Sequence, residues 1–246
     1  MFDRGVSVFL CSTEDNPIPT QRYMDAVIDK RVDGIIAAGK RTDRQVPAEL
    51  SSLGVPVVYT IVQPEPNSVC FTVDDEGGGR MATELLIAKG RRRIAHVTGP
   101  ANFRVVHERA LGYKSALASA GLVEPEIGTI MDDWAERAGR DAVRLHFDGV
   151  VAPPDGFVCG NDQIARGVVD ALALRGVRVP EDVSVIGYDN WHYYAEEASP
   201  PLTTVDMNLE QLGRLAGETL LQMIDGHVVE PGTRRLPCHV VERGSA

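Results

Sequence analysis

The sequence lacks the features that mark membrane-spanning, exported and nucleic-acid-binding proteins. No run approaches the roughly 18 apolar residues of a membrane helix, and the opening stretch MFDRGVSVFLCST has no apolar signal core. The formal net charge of −10 argues against a chain that grips nucleic-acid backbones by itself. We therefore expect a cytoplasmic protein with no membrane partner.

Cysteine is scarce and catalytic motifs are missing. The four cysteines (Cys11, Cys70, Cys159 and Cys238) lie scattered, mostly in apolar stretches, which predicts small core residues rather than disulfides or metal ligands. There is no G-x-S-x-G, H-E-x-x-H or C-x-x-C, and the six histidines stand alone in the sequence. These absences predict a protein that is not an enzyme, with no catalytic residue, metal or cofactor.

What is present is a repeated alternation of short apolar strands and amphipathic helices. Continuous apolar strands joined by helices are typical of parallel sheets covered on both faces, which predicts an α/β fold. One series of units precedes about Val73 and another follows it, so two lobes with a cleft between them are expected. The predicted strands include Val6–Leu10 at the start and Leu236–Val241 at the end, and the last helix is predicted at Leu209–Ile224.

A glycine triplet, Gly77–Gly79, follows the acidic residues Asp74 and Asp75. It suggests a phosphate loop, but neither G-x-x-x-x-G-K-[ST] nor G-x-G-x-x-G is present, and acidic neighbours would repel phosphate. Close packing at the start of a helix, predicted over about Arg80–Lys89, is the favoured interpretation.

The stretch Gly156–Asn190 predicts a strand, a helix and a second strand, and both strands end in polar residues. Asn161 and Asp162 follow the first strand, and Asp189 and Asn190 follow the second. Ligands of parallel sheets bind beyond the carboxyl ends of the strands, so these side chains are expected to share one crevice.

Further polar and aromatic side chains follow other strands and join this set. Carboxylates, amides, a planar arginine and flat aromatic faces together suit a small polyhydroxylated ligand. The alternative is structural, because Asn161 and Asp162 could cap the following helix and Trp134 could belong to the core. The candidate ligand residues are Arg109, Asn161, Asp189, Phe71 and Trp134.

Several runs of this chain resemble the effector-binding core of the LacI-type (LacI/GalR) transcriptional regulators. The most specific are CGNDQIARGV and LRGVRVPEDVSVIGYDN. Others are RVDGII, GVPVV, GRRRIAHVTGP, RALGYKSAL, SPPLTTV and LPCHVVERGS, and together they span nearly the whole chain in order.

The resemblance implies a periplasmic-binding-protein-like fold of type I, with two Rossmann-like lobes and parallel sheets joined by three crossovers. The N-terminal lobe would comprise residues 1–72 and 207–237, and the C-terminal lobe residues 73–206 and 238–246. It also implies a homodimer and a small effector, commonly a sugar, whose binding closes the lobes and alters operator binding.

By the same resemblance, Arg109 matches the arginine that holds effector hydroxyls, and Asn161 and Asp189 match the cleft-lining amide and carboxylate. Phe71 and Trp134 match the aromatics that flank the ligand. The chain departs from the usual pattern at Ile61, Met207 and Arg91, which favours a more apolar ligand.

No helix-turn-helix pattern is found, and the chain starts at what resembles the second strand of the family core. We therefore expect operator DNA to be reached only through a helix-turn-helix head that these residues do not include. A sugar-binding protein of a transport system with the same fold is the alternative, but it would carry an export signal.

Overall fold

The computed structural model describes residues 5–12, 17–45, 50–149 and 152–246. The helices are α1 (Pro17–Lys30), α2 (Asp75–Ala88), α3 (Arg104–Ser119), α4 (Glu136–Phe147), α5 (Asp162–Ala173), α6 (His192–Ala195) and α7 (Leu209–Ile224). The strands are β1 (Ile35–Gln45), β2 (Val57–Gln63), β3 (Val69–Val73), β4 (Ile94–Thr98), β5 (Ile130–Met131), β6 (Gly156–Cys159), β7 (Ser184–Tyr188), β8 (Thr203–Asp206), β9 (Gly232–Leu236) and β10 (His239–Val241). A 3-10 helix covers Leu50–Leu53.

Two sheets organise the described chain, and the predicted α/β class is confirmed. One sheet has four strands in the order β1-β2-β3-β9, and the other has six in the order β10-β8-β7-β6-β4-β5. The pairs from β5 to β8 in the larger sheet are parallel, whereas β10 runs antiparallel to β8. The parallel pairs follow from the helical crossovers between successive strands.

The chain forms two compact units. The first comprises residues 1–40, 44–71 and 213–234, and the second comprises residues 41–43, 72–212 and 235–246. Apart from the short segment 41–43, the chain passes between units at 71/72, 212/213 and 234/235. The predicted assignment of lobes and crossovers stays a prediction.

The central strands β4, β6 and β7 of the larger sheet are buried on both faces, which explains their continuous apolar runs. Ala95 and Val97 of β4 join the core cluster that includes residues of α4 and α5. The alternate residue His96 lies against Tyr113 of α3, with ring centroids 5.0 Å apart. Because neighbouring side chains of a strand point to opposite faces, helices cover both sides of this sheet.

The glycine triplet lies inside α2, which begins at Asp75 rather than at the predicted Arg80. A Cβ on Gly78 would lie 2.2 Å from the Tyr188 hydroxyl, and one on Gly79 would lie 2.2 Å from the Arg109 carbonyl oxygen. Close packing is therefore the role of these glycines, and Asp74 caps the helix by accepting a hydrogen bond from Gly77 N.

Two predicted strands differ in the structure. Residues 6–10 form no strand, and Val8, Phe9 and Leu10 are 72%, 62% and 95% exposed; apolar alternation alone cannot make a strand without a partner for its backbone. The predicted last strand is two strands, because β9 belongs to the smaller sheet and β10 pairs with β8 of the larger one.

The described helices include none that is both long enough and apolar enough to span a membrane.

Candidate functional site

A buried arginine, Arg109, links several elements of the second unit. Nε and Nη2 of Arg109, on α3, each lie 2.8 Å from Oδ1 of Asp75, at the start of α2. Nη1 donates to the carbonyl oxygen of Gly160, beyond the end of β6. The guanidinium carbon lies 3.7 Å from the ring centroid of Tyr188, the last residue of β7. One cation thus joins two helices and the carboxyl ends of two strands.

The electrostatics of this cluster keep Arg109 charged. Burial opposes the positive charge, but attraction to the Asp75 carboxylate and a hydrogen bond to it outweigh this and raise the pKa of Arg109 above its usual value. The Tyr188 hydroxyl lies 3.3 Å from Oδ1 of Asp75 and 3.3 Å from Sγ of Cys238. Burial raises the pKa of Tyr188 well above its usual value despite the nearby Arg109, so this hydroxyl stays protonated.

Asp189 follows Tyr188 and is a partly buried carboxylate that interacts electrostatically with Arg109. Burial raises its pKa from 3.8 to about 7, and repulsion from Asp162 and Asp75 adds to this against the attraction of Arg109. Near neutral pH the carboxyl group can therefore both accept and donate hydrogen bonds. Such a group suits the hydroxyls of a polar ligand.

Asn161 and Asp162 have structural partners. Oδ1 of Asn161 accepts from Ile164 N at 2.8 Å, which caps α5, and Nδ2 donates to the Trp134 carbonyl oxygen at 2.9 Å. The capping alternative is thus confirmed for Asn161, and its contact with a ligand stays a prediction. Asp162 accepts from the Thr204 hydroxyl and from Trp191 N, and burial raises its pKa to about 6.

Trp134 lies between the core and this site. Its indole packs against the larger core cluster and meets Phe103 edge-on, with centroids 5.6 Å apart. The Arg109 guanidinium lies 5.9 Å from the Trp134 ring centroid. The ring approaches the backbone so closely that a Cβ on Gly99 would lie 2.2 Å from it. The tryptophan is therefore held beside the charged cluster.

The remaining positions divide between the two units. Phe71 is buried in β3 of the first unit, and the Arg234 guanidinium carbon lies 5.5 Å from its ring centroid. Its contact with a ligand stays a prediction.

Met207 borders the cluster, with Sδ 3.8 Å from Nη2 of Arg109. Ile61 has a left-handed backbone with φ of 49°, and Arg91 donates to the Ser184 hydroxyl at 3.0 Å.

Sequence reasoning did not assign Asp75 and Tyr188 to this site. In the sequence Asp75 is one of two consecutive acids, and Tyr188 is part of the GYDN run. Their role depends on a contact between α2, α3 and β7 that spans 113 residues from Asp75 to Tyr188. An aspartate immediately after an apolar strand was the available signal.

Comparison with known proteins shows the family. Residues 83–246 match the family model described as periplasmic binding protein-like domain. The chain is 34% identical over 236 residues to the HTH-type transcriptional repressor PurR of Glaesserella parasuis serovar 5 (strain SH0165), covering 94% of this chain and 67% of the relative. It is 33% identical over 249 residues to the ribose operon repressor of Escherichia coli (strain K12), covering 100% of this chain and 74% of the relative.

Solved structures agree. A complex of the transcriptional regulator CelR with cellobiose is similar with a TM-score of 0.76 and 34% identity, over 93% of this chain and 70% of the other. A LacI family regulator from Enterococcus faecium with bound ribose is similar with a TM-score of 0.79 and 28% identity, over 99% of this chain and 88% of the other.

These relatives are regulators rather than enzymes, which agrees with the expectation from the missing catalytic motifs. They also favour a regulator over the transport-protein alternative. The chain belongs to the LacI-type transcriptional regulators, and it is an effector-binding core with the periplasmic-binding-protein-like fold.

Proposed function

We propose that the effector is a sugar or a closely related polyhydroxylated metabolite, bound in the second unit by Arg109, Asp189, Asn161 and Trp134. The observation that supports this most is the position of the buried Arg109 guanidinium, which donates to the Gly160 carbonyl oxygen beyond β6 and lies over the Tyr188 ring, directly before Asp189. A guanidinium supplies hydrogen-bond donors and a carboxyl group supplies acceptors, which together suit adjacent hydroxyls. The nearby indole of Trp134 offers an apolar face to the C–H side of a sugar ring.

The relatives support the same ligand class. One similar structure contains cellobiose, another contains ribose, and one curated relative is a ribose operon repressor. Met207 beside Arg109 replaces a polar contact with a thioether, so we expect a ligand with an apolar edge at this position. A deoxy position or a ring C–H face would meet that requirement.

We further propose that effector binding changes operator binding by a regulator that includes a helix-turn-helix head. The chain would act in the cytoplasm as a homodimer. Trp191 and Tyr193 of the second unit are exposed, and both rings contact Tyr194, so these aromatics supply apolar surface for a subunit interface. Light scattering at several concentrations tests the homodimer, and a mass of one chain throughout would contradict it.

A thermal-shift screen tests the ligand class. Ribose, cellobiose, other mono- and disaccharides and nucleosides are each added to the full chain at millimolar concentration. A ligand at about 100 times its dissociation constant stabilises a folded protein by about 2.7 kcal/mol, which gives a clear rise in Tm. We expect at least one sugar to raise Tm and no nucleoside to do so.

Asp189→Asn and Asp170→Asn are the matched variants for this screen. Asp189 is the proposed ligand carboxylate, whereas Asp170 is an exposed carboxylate on α5 of the same unit. The sugar-induced rise should disappear in Asp189→Asn and persist in Asp170→Asn. A screen in which no sugar binds, or a rise unchanged in Asp189→Asn, would refute the proposed site.

A further inference from the structure

The turn after β7 adopts a backbone conformation that needs external support. Asp189 has a φ of 100° and Asn190 a φ of 50°, both in the left-handed region. Residues other than glycine adopt this region at a cost and keep it only where neighbouring groups hold them. The proposed ligand carboxylate is therefore presented from a strained turn.

The side chain of Asn190 is held from two sides. Its Nδ2 donates to Oδ2 of Asp206 at 2.7 Å, and its Oδ1 accepts from Nη2 of Arg243 at 2.9 Å. Its backbone N–H donates to the Thr204 hydroxyl at 3.3 Å. Arg243 is the one of these partners that lies outside the sheet, in the segment after β10.

Arg243 connects the turn to two other segments. Nη1 donates to the carbonyl oxygen of Leu202 at 3.0 Å, and Nη2 also lies 3.2 Å from Oε1 of Glu196. The backbone N–H of Arg243 donates to the Thr203 hydroxyl at 2.9 Å. Only a planar group with several donors reaches all of these acceptors, which an ammonium group cannot do in the same geometry.

The segment that bears Arg243 is fixed to the larger sheet through Ser245. The buried Ser245 hydroxyl accepts from Thr203 N at 2.8 Å and donates to the Val185 carbonyl oxygen at 2.6 Å. Val185 N donates to the Ser245 carbonyl oxygen at 2.8 Å. Residues 243–245 therefore form a fixed support for the turn beside β7 and β8.

We propose that Arg243 is a positioning residue for effector binding: it holds Asn190 and thereby keeps the Asp189 carboxyl group aimed at the ligand. The inference rests on the proposed function, because it takes Asp189 as a ligand contact. Arg243 itself need not touch the effector. Loss of its guanidinium frees the Asn190 amide, and the turn then relaxes toward ordinary backbone angles.

Hydrogen exchange on the ligand-free full chain tests the positioning directly. The backbone N–H groups of Asp189, Asn190 and Trp191 are hydrogen-bonded to the Val205 carbonyl, the Thr204 hydroxyl and the Asp162 carboxylate. In Arg243→Gln these three N–H groups should exchange about tenfold faster, whereas those of β4 should be unchanged. Arg243→Lys, which keeps the charge without the planar group, should give an intermediate rate.

Arg178→Gln is the matched control. Arg178 forms an exposed ion pair with Asp182 in the same unit and makes none of the contacts to the turn described above. Its loss should leave exchange at the turn unchanged. Equal exchange at the turn in Arg243→Gln and the wild type would overturn the proposal.

Ribose and cellobiose titrations complete the test. Arg243→Gln should weaken the binding of whichever sugar the wild type binds by about tenfold, and Arg178→Gln should leave it unchanged. An unchanged affinity in Arg243→Gln, despite faster exchange, would refute a role in binding. The wild type could bind neither sugar while the three N–H groups exchange faster in Arg243→Gln. That outcome would refute the proposed ligand class, but it would still show that Arg243 supports the turn.

Discussion

Arg109 and Asp75 form an ion pair in which both side chains are buried, 7% and 2% exposed, with Nη2 2.8 Å from Oδ1. The pair joins α2 to α3 and holds the guanidinium against Tyr188. A residue proposed to bind the effector is thus also part of the packing of the second unit. Replacing Arg109 alone would leave a buried carboxylate without its cation, so it is a poor test of binding by itself.

Removing Asp75 should destabilise the fold strongly. Asp75→Ala leaves the Arg109 cation without its counter-ion, and breaking a buried pair in this way costs about 3–5 kcal/mol. Urea unfolding measures the change. The double variant Asp75→Leu with Arg109→Met should recover much of the loss, since it leaves no unpaired charge. Equal stability of Asp75→Ala and the wild type would contradict the buried pair.

Asp189 should make the ligand-free protein less stable as the pH rises. Its pKa is raised from 3.8 to about 7, so the folded state binds this proton more tightly than the unfolded chain does. The resulting stabilisation is complete below about pH 4 and is lost as the pH rises through about 7. Urea unfolding measures this effect. Relative to the wild type, the free energy of unfolding of Asp189→Asn should rise by about 1–2 kcal/mol between pH 5 and pH 8.

Asp182→Asn is the control for this pH dependence. Hydrogen bonds from Arg178 lower the pKa of Asp182 to about 2, so its contribution is lost only as the pH falls toward that value. It should show no relative gain between pH 5 and pH 8. A gain equal to that of Asp189→Asn would assign the effect to something other than the site.

His96 should make the protein acid-sensitive. Its ring is fully buried, and among the residues that the structure describes neither ring nitrogen has a hydrogen-bond partner. Burial, with repulsion from Arg109 and Lys114, lowers the pKa of His96 from 6.5 to about 3. The unfolded chain therefore binds this proton below pH 6.5 while the folded state does not, so stability falls as the pH drops from 6.5 toward 3.

The measurement compares unfolding free energies at pH 7.5 and pH 5. His96→Leu should reduce the loss between these values by about 2 kcal/mol, whatever its effect on packing at pH 7.5. The exposed His192 provides the control, and His192→Leu should leave the loss unchanged. An unaltered loss in His96→Leu would contradict a neutral buried imidazole.

Gly99→Ala should disturb the site through Trp134. The added Cβ would lie 2.2 Å from the indole, so the ring must move. We expect a shift in tryptophan emission and a sugar affinity weakened about tenfold or more. Gly213→Ala in α7, where a Cβ meets no atom of the described part of the chain within 4 Å, should instead stabilise the protein by about 0.5–1 kcal/mol without either effect.

The positions of most helices and strands follow from local pattern. The last helix has the predicted bounds, because its apolar residues recur at helical spacing and Asn208 precedes it. Residues 6–10 have an equally clear strand pattern and form none, since a strand also needs a neighbour for its backbone. Local sequence reports which face of a segment is apolar but not whether a partner is present.

The sequence by itself determined the α/β class, the family and the residues Arg109, Asn161 and Asp189 as groups that follow strands or lie near helix starts. Tertiary structure decided what those groups do. The Asp75 partner of Arg109 and the Arg243 support of the turn join residues 34 and 53 positions apart. Side-chain pairing across such distances depends on how helices pack on the sheet, and burial then sets the pKa of Asp189, which no local pattern contains.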